Sequence, residues 1–474
     1  MKLESGPSET APVSLLQKFV SGELQFGAWG VLARGLGWAN SFLIISGLTV
    51  YQYGVFQLFL SAYAILTEFV SWGGLAAGTE ILRLAGRGNE ARAKRLFYEY
   101  NTLRFVSAAC FWALFFFGAP LVAFHYGPDF IGLIRIMSFM FFAEVFGAAV
   151  VTVVNMRMDF RALASRRAIG KTFQLATLVG FFIFSTISLR EVLLSLVIGS
   201  FLSTAILLPA AARAWKPWRR VLAKRGPIIL WQVARAHGKW DSIKNLFSQF
   251  GTRIQPWLIK LFVSTEAVGV YGVATSLAEV VMQMVPRNTM NMLITKVFHN
   301  KDHSQRVFTY AVKYLTIWGI VGVLGSLVAV PVVIHFVLPQ YTSSLQFFYL
   351  LVFLVPVKSF QWITDLFLRV FRQQKFAFIR GMTRSASLFV LLLVFLPMIG
   401  LWALALADFF MRVVIAYTGY RRLLKLRPEF RITPNLLFSF GEEDRRILGR
   451  IFENAKSFFT AALRLVARNV RGSV

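Results

Sequence analysis

Residues Ala91–Gly132 read ARAKRLFYEYNTLRFVSAACFWALFFFGAPLVAFHYGPDFIG. Arg92, Lys94 and Arg95 open the stretch, Arg104 closes its basic part, and no further Lys or Arg appears before Arg135. Between lie about 20 mostly apolar residues, the length that crosses the hydrocarbon of a bilayer. One end of this segment is therefore basic and the other is neutral. Reading outward, the pattern repeats along the whole chain. Lys and Arg number two in the N-terminal arm, six in 80–104, five in 155–171, nine in 212–244, four in 293–313, five in 369–384 and twelve from 421 onward. The alternate gaps near Thr49–Tyr53, Phe124–Gly132, Leu189–Glu191, Val263–Val268, Phe336–Thr342 and Pro397–Leu401 hold Arg190 alone. That alternation is the positive-inside rule. It predicts a polytopic membrane protein with an even number of spans and both termini in the cytoplasm.

The composition agrees. The 474 residues are 57% hydrophobic, 15% are charged, and mean hydropathy is +0.61. A formal net charge of +29 would suggest nucleic acid in a soluble chain. Here the cations flank apolar segments, so membrane topology and anionic inner-leaflet lipids account for them, and no nucleic-acid partner is expected. The single cysteine, Cys110, leaves no disulfide or thiolate metal site. Met1–Glu23 is polar and lacks the shape of a cleavable signal peptide, so the first span is expected to act as its own insertion signal.

Twelve spans are expected, near 25–47, 54–76, 104–124, 132–154, 170–188, 192–211, 243–263, 268–292, 311–335, 343–366, 384–399 and 401–420. The second six echo the first. At a constant offset of 211, Arg95 matches Arg306, Pro120 matches Pro331, Pro128 matches Pro339, Phe160-Arg161 matches Phe371-Arg372, and Gly170 matches Gly381. The offset drifts at the start of each half, where Gln25-Phe26-Gly27 recurs as Gln249-Phe250-Gly251 and Tyr53-Gly54-Val55 as Tyr271-Gly272-Val273. Six spans per unit insert both halves the same way up, giving parallel repeats about an axis along the membrane normal. The expected fold is all-α and integral to the membrane, with two six-helix lobes around a central cleft. The units are an N-terminal arm at 1–23, an N-lobe at 24–211, a basic linker at 212–242, a C-lobe at 243–420 and a basic tail at 421–474.

Tyr53-Gly54-Val55-Phe56, its echo Glu266-Ala267-Val268-Gly269-Val270-Tyr271-Gly272, and the basic Arg92-Ala93-Lys94-Arg95 loop resemble polysaccharide-unit flippases. These are the Wzx-type exporters of the multidrug/oligosaccharidyl-lipid/polysaccharide superfamily. Many relatives carry an acid fourteen positions before the glycine matching Gly269, whereas this chain has Gln255. The resemblance covers roughly residues 20–420. It implies a bacterial inner-membrane secondary transporter that flips a polyprenyl-diphosphate-linked oligosaccharide by alternating access, without enzyme activity or cofactor. Polysaccharide polymerase and chain-length machinery are the neighbours it implies.

A charge inside a bilayer costs roughly 2.5–3.5 kcal/mol on insertion scales and so needs a partner, water or a function. Arg34, Glu68, Glu144, Arg253, Glu279 and Lys358 occupy six different spans within one broad layer. Arg34 and Arg253 sit on the first helix of each lobe, which the resemblance places along the cleft. Arginine grips phosphate oxygens bidentately and stays charged, which suits a diphosphate. Arg34 pairing with Glu68 across adjacent helices is the structural alternative. Glu68, Glu144 and Glu279 are open to ion pairing or ion coupling. Lys358, Arg135 and Lys260 complete the cationic candidates, the last two near the outer face. Asp408 and Arg412 have the spacing of an intrahelical pair. Trp29, Trp38 and Trp257 are candidates for stacking on sugar rings.

No other chemistry stands out. His125, His237, His299, His303 and His335 are dispersed, and no GxxxxGK[ST] phosphate cradle occurs. Residues 442–470 alternate apolar and basic residues at helical spacing, which predicts an amphipathic helix on the inner leaflet. Two other functions fit the same outline. One is a multidrug/toxin cation antiporter; the other is a non-transporting membrane component of envelope assembly. Reporter fusions after Arg87, Arg161, Arg220 and Lys301 should read cytoplasmic, and those after Pro128 and Pro339 extracytoplasmic. One reversed reporter would break the span assignment.

Overall fold

The computed structural model describes residues 11–71, 74–156, 160–221, 228–233, 247, 249–285, 301–371 and 373–432. The amphipathic segment 442–470, the first ten residues and much of the 212–242 linker lie outside the described residues. All regular structure among those described is helical. Span 1 is Ala11–Gly47, span 2 Val50–Val70 and span 3 Glu90–Tyr126. Span 4 joins Asp129–Ser138 to Met140–Met156, span 5 is Phe160–Phe184, and span 6 joins Leu189–Ala205 to Leu208–Arg219 with a 44° bend. In the second half, span 7 includes Gln255–Phe262, span 8 is Thr265–Met284 and span 9 is Lys301–Val337. Span 10 joins Leu345–Val352 to Leu354–Val370, span 11 is Gln374–Ile399 and span 12 is Trp402–Leu426.

Seven of these helices are long and apolar enough to cross a membrane, or nine if each bent pair counts as one span. Spans 1, 5 and 7 bring the total to the expected twelve. Span 5 is less apolar because it carries Arg166, Arg167 and Lys171, and span 7 is described only in part. Large apolar side chains cover the outside: Leu121 is 79% exposed, Phe184 89% and Phe336 77%. So much apolar surface, continuous around the bundle, belongs in lipid.

Spans 1, 5 and 6 pack together, as do spans 3 and 4 and spans 4 and 6, forming the N-lobe. Spans 9, 10 and 12 pack together with 8 and 11 around them, forming the C-lobe. Span 2 lies against span 8, and this pair forms the main seam between the lobes. Both helices start in the same way. Thr49 caps span 2 by accepting from the Gln52 amide at 3.2 Å, and Ser264 caps span 8 by accepting from the Ala267 amide at 3.1 Å. Each cap satisfies an amide that the first turn leaves without a helical partner.

One turn further in, Gly54 and Gly269 meet face to face. A Cβ on Gly54 would strike the Thr265 carbonyl, and one on Gly269 would strike the Val50 carbonyl. The two contacts are reciprocal: Val50 precedes Gly54 by four residues, as Thr265 precedes Gly269. The structural equivalent of Gly54 is thus Gly269, whereas the Tyr-Gly-Val likeness had matched it to Gly272. Gly272 faces Gln57 instead, with only 2.9 Å between a would-be Cβ and the Gln57 Cγ. Missing Cβ atoms let the backbones approach, which is how helices associate in lipid without a hydrophobic drive.

Packing runs past both expected lobe ends. At the basic end, meaning the end that bears the Lys/Arg-rich connections, Lys94 Nζ donates to the Trp218 and Val221 carbonyls at 2.7 and 2.8 Å. Glu99 accepts from the Leu230 amide at 2.9 Å. The start of the linker therefore docks on span 3. An extra helix, Gly74–Gly86, was read as loop; Ile81 and Leu84 bury it against Phe97 and Val153. After span 12 the chain folds back, and Phe430 sits 1% exposed among Phe308, Phe367 and Phe371.

Gly269→Ala should cost about 1–3 kcal/mol, the usual range for overpacking. Thermal unfolding in detergent should show a clear drop. Gly180→Ala, where nothing lies within 4 Å, should show none. Equal melting temperatures for the two variants would refute the seam.

Candidate functional site between the lobes

The seam carries polar contacts from end to end. At the neutral end, the Tyr341 hydroxyl donates to the Leu48 carbonyl at 3.0 Å, tying span 10 to the end of span 1. Below the glycine crossing, the Tyr53 and Ser276 hydroxyls lie 3.1 Å apart, and Gln57 Nε2 donates to Tyr53 at 2.8 Å. Next comes a break in span 7. Pro256 has no amide to donate and cannot continue the helix, which interrupts at Ile254. A freed carbonyl in lipid needs a new donor. The Ser61 hydroxyl of span 2 supplies one to the Arg253 carbonyl.

The Arg253 side chain beside this break is exposed. A charge part-way along a span faces the bundle interior or water rather than lipid. The Arg253 carbonyl is thus at the seam, with its exposed side chain beside it. Glu144 and Glu279 are exposed within their spans as well.

Arg34 is held differently. Its Nη1 donates to the Gln283 carbonyl at 2.9 Å, and its Nε donates to Gly30 at 3.2 Å. Trp38 Nε1 donates to Gln283 Oε1 at 3.2 Å. Gln283 lies in the last turn of span 8, where carbonyls lack helical partners and the helix end carries partial negative charge. Two N-lobe donors thus grip the basic end of a C-lobe helix. Glu68 makes no ion pair with Arg34; its carboxyl takes a hydrogen bond from Gln249 of the opposite lobe. Arg34 and Arg253 do not touch each other; the Arg34 side chain and the Arg253 carbonyl each bond to the other lobe.

Arg135 is absorbed by a defect in span 3. Pro120 cannot donate to the Phe116 carbonyl one turn back. Arg135 Nε takes that carbonyl at 3.2 Å, and the guanidinium lies 5.0 Å from the Phe116 ring centre. Lys260 lies in span 7 and lines an apolar groove with Trp257, Phe59, Phe115 and Phe130.

Each lobe also encloses its own charge cluster. In the C-lobe, Asp408 accepts from Arg384 at 3.1 Å and from Arg412 at 2.8 Å. Lys358 and Glu279 interact electrostatically with this group. Asp408 and Arg412 form the expected pair, but span 11 adds Arg384. In the N-lobe, Glu144 interacts with Arg166. The Arg166 guanidinium lies against Gly147, where a Cβ would come within 2.6 Å of Nη2. Arg104 is buried beneath the Tyr100 ring, its carbon 5.4 Å from the centroid. Asp365 pairs with the buried Arg380. Arg166 and Arg380 fall between the expected spans, and Arg104 and Arg384 are the first residues of theirs, at 104–124 and 384–399. The acids are the signal for Arg166, Arg380 and Arg384: each carboxylate inside a span demands a cation within reach.

The family described as polysaccharide biosynthesis protein matches residues 48–340, which run from span 2 to the beginning of span 10. Among solved structures, the lipid II flippase MurJ in an inward closed conformation is similar, with a TM-score of 0.68 at 12% identity. That match covers 84% of this chain and 87% of that one. An inward-facing multidrug resistance MATE family transporter of the MOP superfamily gives a TM-score of 0.65 at 13% identity, covering 83% and 96%. The MATE multidrug transporter DinF-BH in complex with R6G gives 0.58 at 15% identity, covering 91% and 100%. At such identities these likenesses establish the fold. No curated protein matches significantly in sequence.

Asp408→Asn leaves Arg384 and Arg412 without their shared carboxylate. Removing one member of a buried pair costs about 3–5 kcal/mol, so thermal unfolding should show a large drop. Glu279→Gln, at an exposed carboxyl, should unfold close to wild type. Similar losses in both would contradict the assignment of Asp408 as the structural counter-ion.

Proposed function

The chain belongs to the polysaccharide biosynthesis protein family, and from that premise we propose that it flips a polyprenyl-diphosphate-linked oligosaccharide across the bacterial inner membrane. The family match carries this reading; the fold shared with a flippase and with multidrug transporters supports it. The basic end is the cytoplasmic end, and both termini lie there. Polysaccharide polymerase and chain-length machinery would act on the flipped product.

Arg34 and Arg253 are the diphosphate ligands in this account. Arg34 now holds a neutral carbonyl across the seam, and a phosphate oxygen makes the stronger, charge-assisted partner. Substrate entering at the basic end would therefore take Arg34 from Gln283 and loosen the lobes there. Arg253, beside the break in span 7, would receive the diphosphate deeper in. Outward movement of an anion down an inside-negative potential releases roughly 2.3 kcal/mol per charge per 100 mV. Glu144 and Glu279, exposed within their spans, are the acids assigned in this reading to couple a returning ion.

The antiporter reading predicts an acidic cleft suited to cations. The exposed charges here are mixed, with Arg253 among them, which favours the anionic substrate.

Arg34→Ala and Arg253→Ala should each cut surface polysaccharide at least tenfold at normal protein level, with lipid-linked repeat units accumulating inside. Lys replacements should restore part of the export, since they keep the charge and lose the planar fork. Arg34→Ala combined with Glu68→Ala should stay inactive. Full export in that double variant would overturn the ligand role of Arg34. In a strain lacking this chain, loss of ethidium efflux with polysaccharide export intact would replace the whole reading with the antiporter.

A further inference from the structure

One cavity is not used by the contacts above. An apolar groove enclosing about 870 Å³, part of it open to the surroundings, runs along the N-lobe side of the seam. Span 2 lines it from Tyr51 to Leu66, a rise of about 22 Å at 1.5 Å per residue. Phe115, Phe130 and Phe141 form its far wall, and Trp257 of span 7 forms the other. It reaches from the neutral end to beyond mid-depth. The one charged group on its lining is Lys260, near the neutral end and about two turns beyond Arg253.

We propose that this groove holds the isoprenoid chain of the lipid-linked substrate in its outward position, with Lys260 on the diphosphate. This rests on the flippase reading and extends it to the tail. The substrate has a head that hydrocarbon rejects and a tail that water rejects, so the two must part at a boundary between lobes. The seam is closed elsewhere on these helices: by the glycine crossing of spans 2 and 8, and by Arg34 and Trp38 on Gln283. Beside Lys260 the seam opens onto apolar surface instead. An ammonium at the end of an apolar trough complements a phosphate attached to a long hydrocarbon chain. Lys260 then completes a cationic series with Arg34 and Arg253, ordered from the basic to the neutral end. A lysine suits the release position, because a single rotatable ammonium grips phosphate less specifically than a guanidinium fork.

The test is binding of undecaprenyl diphosphate, and of uncharged undecaprenol, to protein in nanodiscs of defined phospholipid. Ala62→Phe narrows the groove, and Lys260→Gln removes the charge. Ala62→Phe should weaken both ligands about tenfold, whereas Lys260→Gln should weaken the diphosphate tenfold and leave undecaprenol unchanged. A diazirine-bearing farnesyl diphosphate should label the wild type within 51–66 and 115–141, a readout independent of whether the variants fold. Wild-type binding that neither variant alters, or labelling confined elsewhere, would refute the groove and leave the flippase reading intact. Competition by phosphatidylglycerol at equal concentration would show an ordinary lipid-filled groove and overturn the proposal. Failure of wild type to bind undecaprenyl diphosphate at all would remove the flippase reading with it.

Discussion

The backbone contact between Gly54 and Gly269 is the constraint on which the arrangement of the lobes depends. Lipid tails are as apolar as leucine, so helices in a bilayer gain little from hiding apolar surface and associate through close fit. Here the fit is backbone on backbone, with each glycine against the carbonyl one turn before the other. Because the contact is reciprocal, a single crossing satisfies both repeats. It also leaves no slack at that level. Relative motion of the lobes has to rotate about it, and the contacts furthest away move most. Those are Arg34 and Trp38 on Gln283 and Gln249 on Glu68, all at the basic end. They are single polar bonds rather than packed backbone, so in the proposed cycle they are the contacts that substrate would exchange.

Charge inside the bundle divides into two kinds. Asp408 with Arg384 and Arg412, and Asp365 with Arg380, are each closed within one lobe. Such groups fix helix register, and breaking them exposes an uncompensated charge. Arg34, Glu68 and Arg253 instead stand at the seam, the first two holding a carbonyl and an amide side chain and the third exposed. A transporter needs both kinds: lobes that stay rigid while they move, and a boundary whose bonds can be traded.

Much of this was legible in the sequence. The alternation of basic and neutral loops gives the number of spans, because translocation of short loops responds to Lys and Arg. The two-lobe repeat shows in prolines and basic residues that hold one register. The register at the glycines was misread for a physical reason: span 8 has glycines at 269 and 272, and the Tyr-Gly-Val likeness selects the second. The capping residues Thr49 and Ser264 select the first. The loop arginines were misplaced because span ends were drawn where charge begins, although a long side chain near a helix end can turn back toward an acid inside. Arg135 as the partner of a proline-freed carbonyl follows from Pro120 only once the packing of spans 3 and 4 is known.

The central claim is that this chain moves a lipid-linked sugar diphosphate between leaflets. It is tested most directly in proteoliposomes containing a short fluorescent sugar on undecaprenyl diphosphate, scored by the fraction a membrane-impermeant quencher reaches. Wild-type protein under an imposed potential should change that fraction beyond the roughly half accessible in a symmetric bilayer, and the Arg253→Ala protein should not. An accessible fraction that stays at the protein-free value, with protein that is folded and binds the lipid, would contradict the account.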